Sequence, residues 1–174
     1  ERIMVEWNRD MLMATTDFHA SRMQQSIRRM LVRKVDGVAL LASEIETEPI
    51  ETLIHNRVPL VTMDRRLTGP GLSDVLIDYQ EGMNQAVRYL KRLGHCKIAF
   101  IGGSVGPTIA DHLRDAFVQA MATSGLKIEA DYMPAGNYRI PGGETAMAEL
   151  LALSRKPTAI IAANDLTAIG GVVT

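Results

Sequence analysis

The sequence predicts an α/β protein built on doubly wound parallel sheets, and three observations carry that expectation. Short runs of Val, Ile, Leu, Met and Ala alternate with segments of helical period along nearly the whole chain. Those runs are close to continuously apolar, as strands covered by helices on both faces are. The residue or two after each run is small and polar, which is how a sheet edge that receives a ligand reads. Strand and helix in repeated alternation imply right-handed βαβ crossovers and hence parallel pairing.

Taken in order, the strand candidates are Met11 to Ala14, Gly37 to Ala42, Leu60 to Met63, Val75 to Ile77, Lys97 to Ile101 and Ala159 to Ala163. Between the first two, Ala20, Met23, Ile27, Met30 and Leu31 recur at three- and four-residue steps and make a helical stripe. The clearest helix follows the fourth strand. Met83, Ala86, Val87, Leu90 and Leu93 form its apolar face, with Gln85, Arg88, Lys91 and Arg92 opposite. Gly94 offers a left-handed stop there, and His95 sits where a cation complements the helix dipole. A further helix carries Leu113, Ala116, Phe117, Ala120 and Met121 and ends at Gly125; one near the end carries Met147, Leu150 and Leu151. Arg65 to Ser73 is the one loose stretch, rich in turn formers and too short to link independent domains.

The totals narrow the classes of function. With 47% apolar and 22% charged residues the chain is of globular rather than disordered composition. A chain of 174 residues can bury about 70% of its unfolded surface, as one domain or as two small lobes. The net charge of −1 gives no global attraction to nucleic acid or anionic membrane. Cys96 is the only cysteine, so no internal disulfide forms and a reducing compartment fits. No apolar run approaches the roughly 18 residues that span a bilayer, and the opening ERIMVEW is not a signal peptide.

One motif points to catalysis. Gly102-Gly103-Ser104-Val105-Gly106 matches G-x-S-x-G, the turn that presents a hydrolase nucleophile between strand and helix. The rest of that machinery is missing. Pro107 delays the next helix to about Asp111, the only later histidine is His112 inside that helix, and no second glycine run offers an oxyanion hole. The run reads instead as a sharp backbone turn at a strand's carboxyl end. His19, His55, His95 and His112 have no partner at metal-ligand spacing, and neither a P-loop nor a G-x-G-x-x-G follows any strand. The expectation is a protein that is not an enzyme and needs no cofactor or metal.

The polar positions after the strands are Thr15, Thr16, Asp17, Ser43, Asp64, Asp78, Ser104, Asn164 and Asp165. Such a set suits hydrogen bonding to a small polyhydroxylated molecule. Asp17, Asn164 and Asp165 also precede helices, where capping of free backbone N–H groups accounts for them equally.

Five segments, VDGVALLA, VPLVTMDR, DYQEGMNQAVRYLKRLGHCKIAFIGG, LRDAFVQAM and PTAIIAANDLTAIG, occur in an order and spacing that resemble the effector-binding core of the LacI/GalR transcription regulators. The resemblance covers essentially all of the chain. It implies an incomplete periplasmic-binding-protein-like type I fold of two doubly wound parallel-sheet subdomains, 1–78 and 79–174, with a small effector held between them. Three departures go with it: no helix-turn-helix precedes the core, residues 1–8 read as the tail of the family's first helix so its first strand is lacking, and the final elements of both lobes are lacking. The expectation is therefore a piece of a longer chain that does not bind DNA by itself. Operator DNA would be read through an N-terminal helix-turn-helix outside these residues, by a cytoplasmic homodimer with no membrane contact. Exported sugar receptors of transporters share the fold and are the alternative, but Leu93-Gly94-His95 ahead of Lys97 and IAFIGG is more typical of the regulators.

Residue by residue, the resemblance assigns Asn164, with Asp165 beside it, to effector contact and Tyr138 to stacking. Asp78 and Glu81 fall where polar side chains reach sugar hydroxyls or hold the hinge. The arginine that usually anchors effector falls at Leu113, while Arg114 lies about 100° round the helix. A sugar-like or otherwise weakly charged effector is the expectation.

Overall fold

A computed structural model of the chain describes residues 2–16, 19–41, 47–103 and 109–174. Its elements run α1 (Arg2–Glu6), α2 (Ala20–Val32), β1 (Val38–Leu40), α3 (Thr47–His55), β2 (Leu60–Met63), β3 (Leu72–Val75), α4 (Tyr79–Arg92), β4 (Ile98–Ile101), α5 (Ile109–Thr123), α6 (Ile140–Ala152), β5 (Ala159–Ala162) and α7 (Asp165–Val173). Strands β1, β2 and β3 form one parallel sheet and β4 with β5 another, so the fold is the α/β class that the alternation predicts. The chain divides into two compact units, Glu1–Leu76 and Ile77–Thr174.

In the second unit β4 is buried along its whole length. Ile98 and Phe100 enter one apolar cluster with Met83 and Val87 of α4 and Ala116, Phe117, Ala120 and Met121 of α5. Ala99 and Ile101 point the other way, into a cluster with Tyr132 and with Ala146 and Leu150 of α6. Alternation along one strand thus supplies two cores, which is the physical content of a doubly wound sheet. The Phe100 and Phe117 rings stack at 5.3 Å between centroids. On the side of β4 away from β5 runs a strip that sequence periodicity missed. Phe100 N–H donates to Tyr132 O, Gly102 N–H to Pro134 O, and Gly136 N–H to Gly102 O. The fully buried Tyr132 hydroxyl donates to Arg155 O at 3.0 Å.

The helix read most clearly from sequence is also the best capped. The Asp78 carboxylate accepts from Glu81 N–H, Lys91 and Arg92 occupy the last turn, and Gly94 leaves at φ +90. His95 makes a specific contact, 3.1 Å from its Nδ1 to Thr158 Oγ1. Cys96 is exposed just ahead of β4.

The first unit corrects one strand. Residues 11–14 are no strand: they are irregular, and Met11, Leu12 and Met13 are exposed, with no ladder partner among the described residues. Among the described residues its sheet is covered by helices on one face. Val38, Leu40 and Leu60 pack with Met23, Ile27, Ile50 and Leu53 from α2 and α3, whereas Ala39 and Val61 face outward with no described helix over them. Strand β3 lies three residues earlier than the Val75–Ile77 run, because its ladder with β2 pairs Leu60 with Leu72 and ends at Met63 with Val75. Helix α3 was not read from the sequence, and α7 was read only as the helix that Asn164 and Asp165 precede.

Candidate functional site

Helices that connect parallel strands run antiparallel to them, so the amino ends of α4, α5, α6 and α7 all turn toward the carboxyl edge of the β4–β5 sheet. Each of the six predicted site residues belongs to the second unit and lies near one of those ends. Asp78 caps α4 and Glu81 sits in its first turn. Leu113 is in the second turn of α5, Tyr138 precedes α6, Asn164 caps α7, and Asp165 opens α7.

Three of the six are brought together in detail. Asn164 Oδ1 accepts from Thr167 N–H at 2.9 Å, and Asn164 Nδ2 donates to Tyr138 O at 3.0 Å. Asp165 is exposed beside it. Tyr138 is half-buried with φ +61, a left-handed conformation that bulky residues rarely take. Its ring lies on the backbone of Gly103, where a methyl group would overlap it. Asn137 Oδ1 accepts from Arg139 N–H at 3.1 Å, which closes a turn around Tyr138.

The other three have local duties. Asp78 accepts from Glu81 N–H at 2.9 Å, and Glu81 takes bonds from Gln85 at 2.9 Å and Arg88 at 3.2 Å, all exposed. Capping thus accounts for Asp78 and Asn164, as the sequence allowed. Leu113 packs against the cluster of α4, β4 and α5, and Arg114 is exposed. Position 113 therefore presents a methyl-rich side chain where a guanidinium was the family expectation.

Of the remaining polar positions, Thr15 and Thr16 lie in irregular chain, Thr16 O accepting from His19 N–H. Asp64 is half-buried with φ +55. Asp17, Ser43 and Ser104 lie outside the described residues, so the G-x-S-x-G turn is described only as far as Gly103. Among the described residues no three His, Cys, Asp or Glu side chains gather as a metal-holding group. Sequence reasoning missed Gly103, Asn137 and Thr167. The turn formers of AGN before Tyr138 were a signal for Asn137; the seat at Gly103 depends on a contact across 35 positions, which no local pattern carries.

A parallel sheet wound with helices, whose amino ends are capped by Asp78 and Asn164, is the architecture of open α/β domains. The family model described as "periplasmic binding proteins and sugar binding domain of LacI family" matches residues 4–174, and the chain belongs to that family. It is 31% identical over 163 residues to the transcriptional repressor PurR of Glaesserella parasuis, which covers 92% of this chain and 47% of the relative. Catabolite control protein A of Priestia megaterium is 28% identical over 172 residues, 98% of this chain and 52% of that one. Among solved structures, a LacI regulator from a Rhodococcus species superposes with TM-score 0.83 at 27% identity, over 99% of this chain and 63% of that chain. A regulatory protein of the family from Chloroflexus aggregans gives 0.73 at 32% identity, over 90% and 57%. The chain spans about half the length of the curated relatives it matches.

Proposed function

We propose that this chain is the effector-sensing part of a LacI-type transcription regulator, binding a sugar-like molecule at the carboxyl edge of the β4–β5 sheet. The observation that carries the reading is the chemistry of that edge. Asp78 and Glu81 belong to the amino end of α4, Asp165 opens α7, and Asn164 holds the carbonyl of Tyr138 at that same helix end. Carboxylates accept hydrogen bonds from hydroxyl groups and repel anions, and an aromatic face packs on the C–H face of a sugar ring. Leucine at position 113 removes the anchor that a phosphorylated or carboxylated effector would need.

The division into lobes at residues 78 and 79, the homodimer, the cytoplasmic location and the operator-reading helix-turn-helix belong to this reading. In it, effector shifts the protein between two states that differ in DNA affinity and must itself bind them unequally. Relatives named as repressors favour a regulator over a transport receptor. Among the described residues no helix is long and apolar enough to cross a membrane. The role proposed is binding without catalysis.

A thermal-shift panel of neutral sugars, nucleosides and phosphorylated sugars tests it. A true effector at one hundred times its dissociation constant adds about 2.7 kcal/mol of stability. The reading predicts the hit among neutral sugars. A response confined to phosphorylated compounds, or none across the panel, overturns it.

A further inference from the structure

We propose that Asn164 is a positioning residue: its amide holds the Tyr138 carbonyl and thereby keeps the Tyr138 ring seated on Gly103 as a preset wall of the site. Only the ligand consequence rests on the function proposed above; the clasp itself is a property of the fold.

Both polar atoms of the Asn164 side chain are engaged within the protein. Oδ1 accepts from Thr167 N–H and Nδ2 donates to Tyr138 O, at 2.9 and 3.0 Å. Oδ1 ties the residue to the first turn of α7, and that turn is itself held hard. Thr167 is fully buried, and its carbonyl abuts Gly143 of α6 so closely that a methyl there would overlap it. Gly170 of α7 meets the Ile140 carbonyl in the same way. The clasp therefore stands on a helix crossing that has no room to give.

Tyr138 needs such a hold. At φ +61 it occupies a region that L side chains enter only when the surroundings over-determine them. Asn137 restrains it from one side by accepting from Arg139 N–H, and Asn164 restrains its carbonyl from a distant part of the chain. The ring then lies where only glycine leaves space. An amide is the group this geometry requires, since it accepts with one atom and donates with the other. Aspartate caps a helix as well but has nothing to donate to a carbonyl. Asn164 acts on the ligand through Tyr138 rather than by touching it.

The test labels the protein with 3-fluorotyrosine, giving resonances for Tyr79, Tyr89, Tyr132 and Tyr138, with Tyr138 assigned by Tyr138→Phe. Asn164→Asp keeps the cap and removes the donor; Gly103→Ala dislodges the ring directly. Both variants are expected to move the Tyr138 signal toward that of free 3-fluorotyrosine while the other three stay in place. A Tyr138 signal unmoved by Asn164→Asp overturns the clasp. Should all four signals move, Asn164→Ser, a cap that also lacks the amide, takes its place and is judged by the same outcome. The neutral sugar that binds best is then titrated. Its dissociation constant is expected to rise about tenfold in each single variant and no further in the double, because both act through one ring. Losses that multiply in the double make Asn164 a direct contact and overturn the proposal. If no sugar binds the unaltered protein, the functional reading fails while the fluorine result still decides the clasp.

Discussion

Asp74 shows how much one side chain on a sheet can organise. From β3 it accepts from the Thr62 hydroxyl at 2.5 Å and from the backbone N–H groups of Arg65 and Arg66 at 3.0 and 2.7 Å. Asp64 and Arg66 there have left-handed backbones, so one carboxylate holds the turn that leaves β2. Asp74→Ala should cost about 1–3 kcal/mol, seen as an earlier midpoint in urea unfolding. Thr167 is the opposite case. Its hydroxyl is buried and finds no hydrogen-bond partner among the described residues. Thr167→Val should therefore raise stability by about 1 kcal/mol in the same measurement. Asn164 could be read from the sequence because capping is local: an amide residue before an apolar run. Asp74 could not, because its partners are assembled only when β3 pairs with β2.

Elements with strong periodicity and clear ends were readable; those shaped by contact were not. Helix α4 has both a stripe and a cap in its sequence, and its residues Met83 and Val87 are buried where the stripe puts them. Helix α7 showed its cap but no apolar stripe, because Gly170 and Gly171 interrupt it as turn formers would. Gly170 is there for the neighbour: it lets α7 approach the Ile140 carbonyl and Glu144 N–H of α6. Gly170→Ala, although it raises intrinsic helix propensity, should destabilise by about 1–3 kcal/mol through overpacking, read as a lower melting temperature. Residues 11–14 failed as a strand for the complementary reason. Apolar composition sets a preference, but a strand exists only where a ladder partner lies beside it.

Across the molecule, the candidate site residues differ in how they could be read. Asp78, Asn164 and Asp165 could be picked out as small polar residues after strands, whereas Glu81, Leu113 and Tyr138 came only from the family resemblance. What pattern could not supply was the seat of Tyr138, a consequence of side chains meeting across the chain, whereas Leu113 packs inward as its helical stripe predicts. Each unit has a core of its own, which makes their stabilities separable. Leu53, fully buried in the first, should cost about 2–5 kcal/mol when changed to alanine. Hydrogen exchange should then speed up at the amides of β1 and β2 while those of β4 keep their protection.

The single thiol of this chain, Cys96, is open to reagents and stands at the start of β4, the end of the strand away from the polar edge. A maleimide dye will therefore attach at one defined place without engineering. It will sit a strand's length from the edge proposed above to receive effector, and a change in its emission on adding a sugar would report binding there.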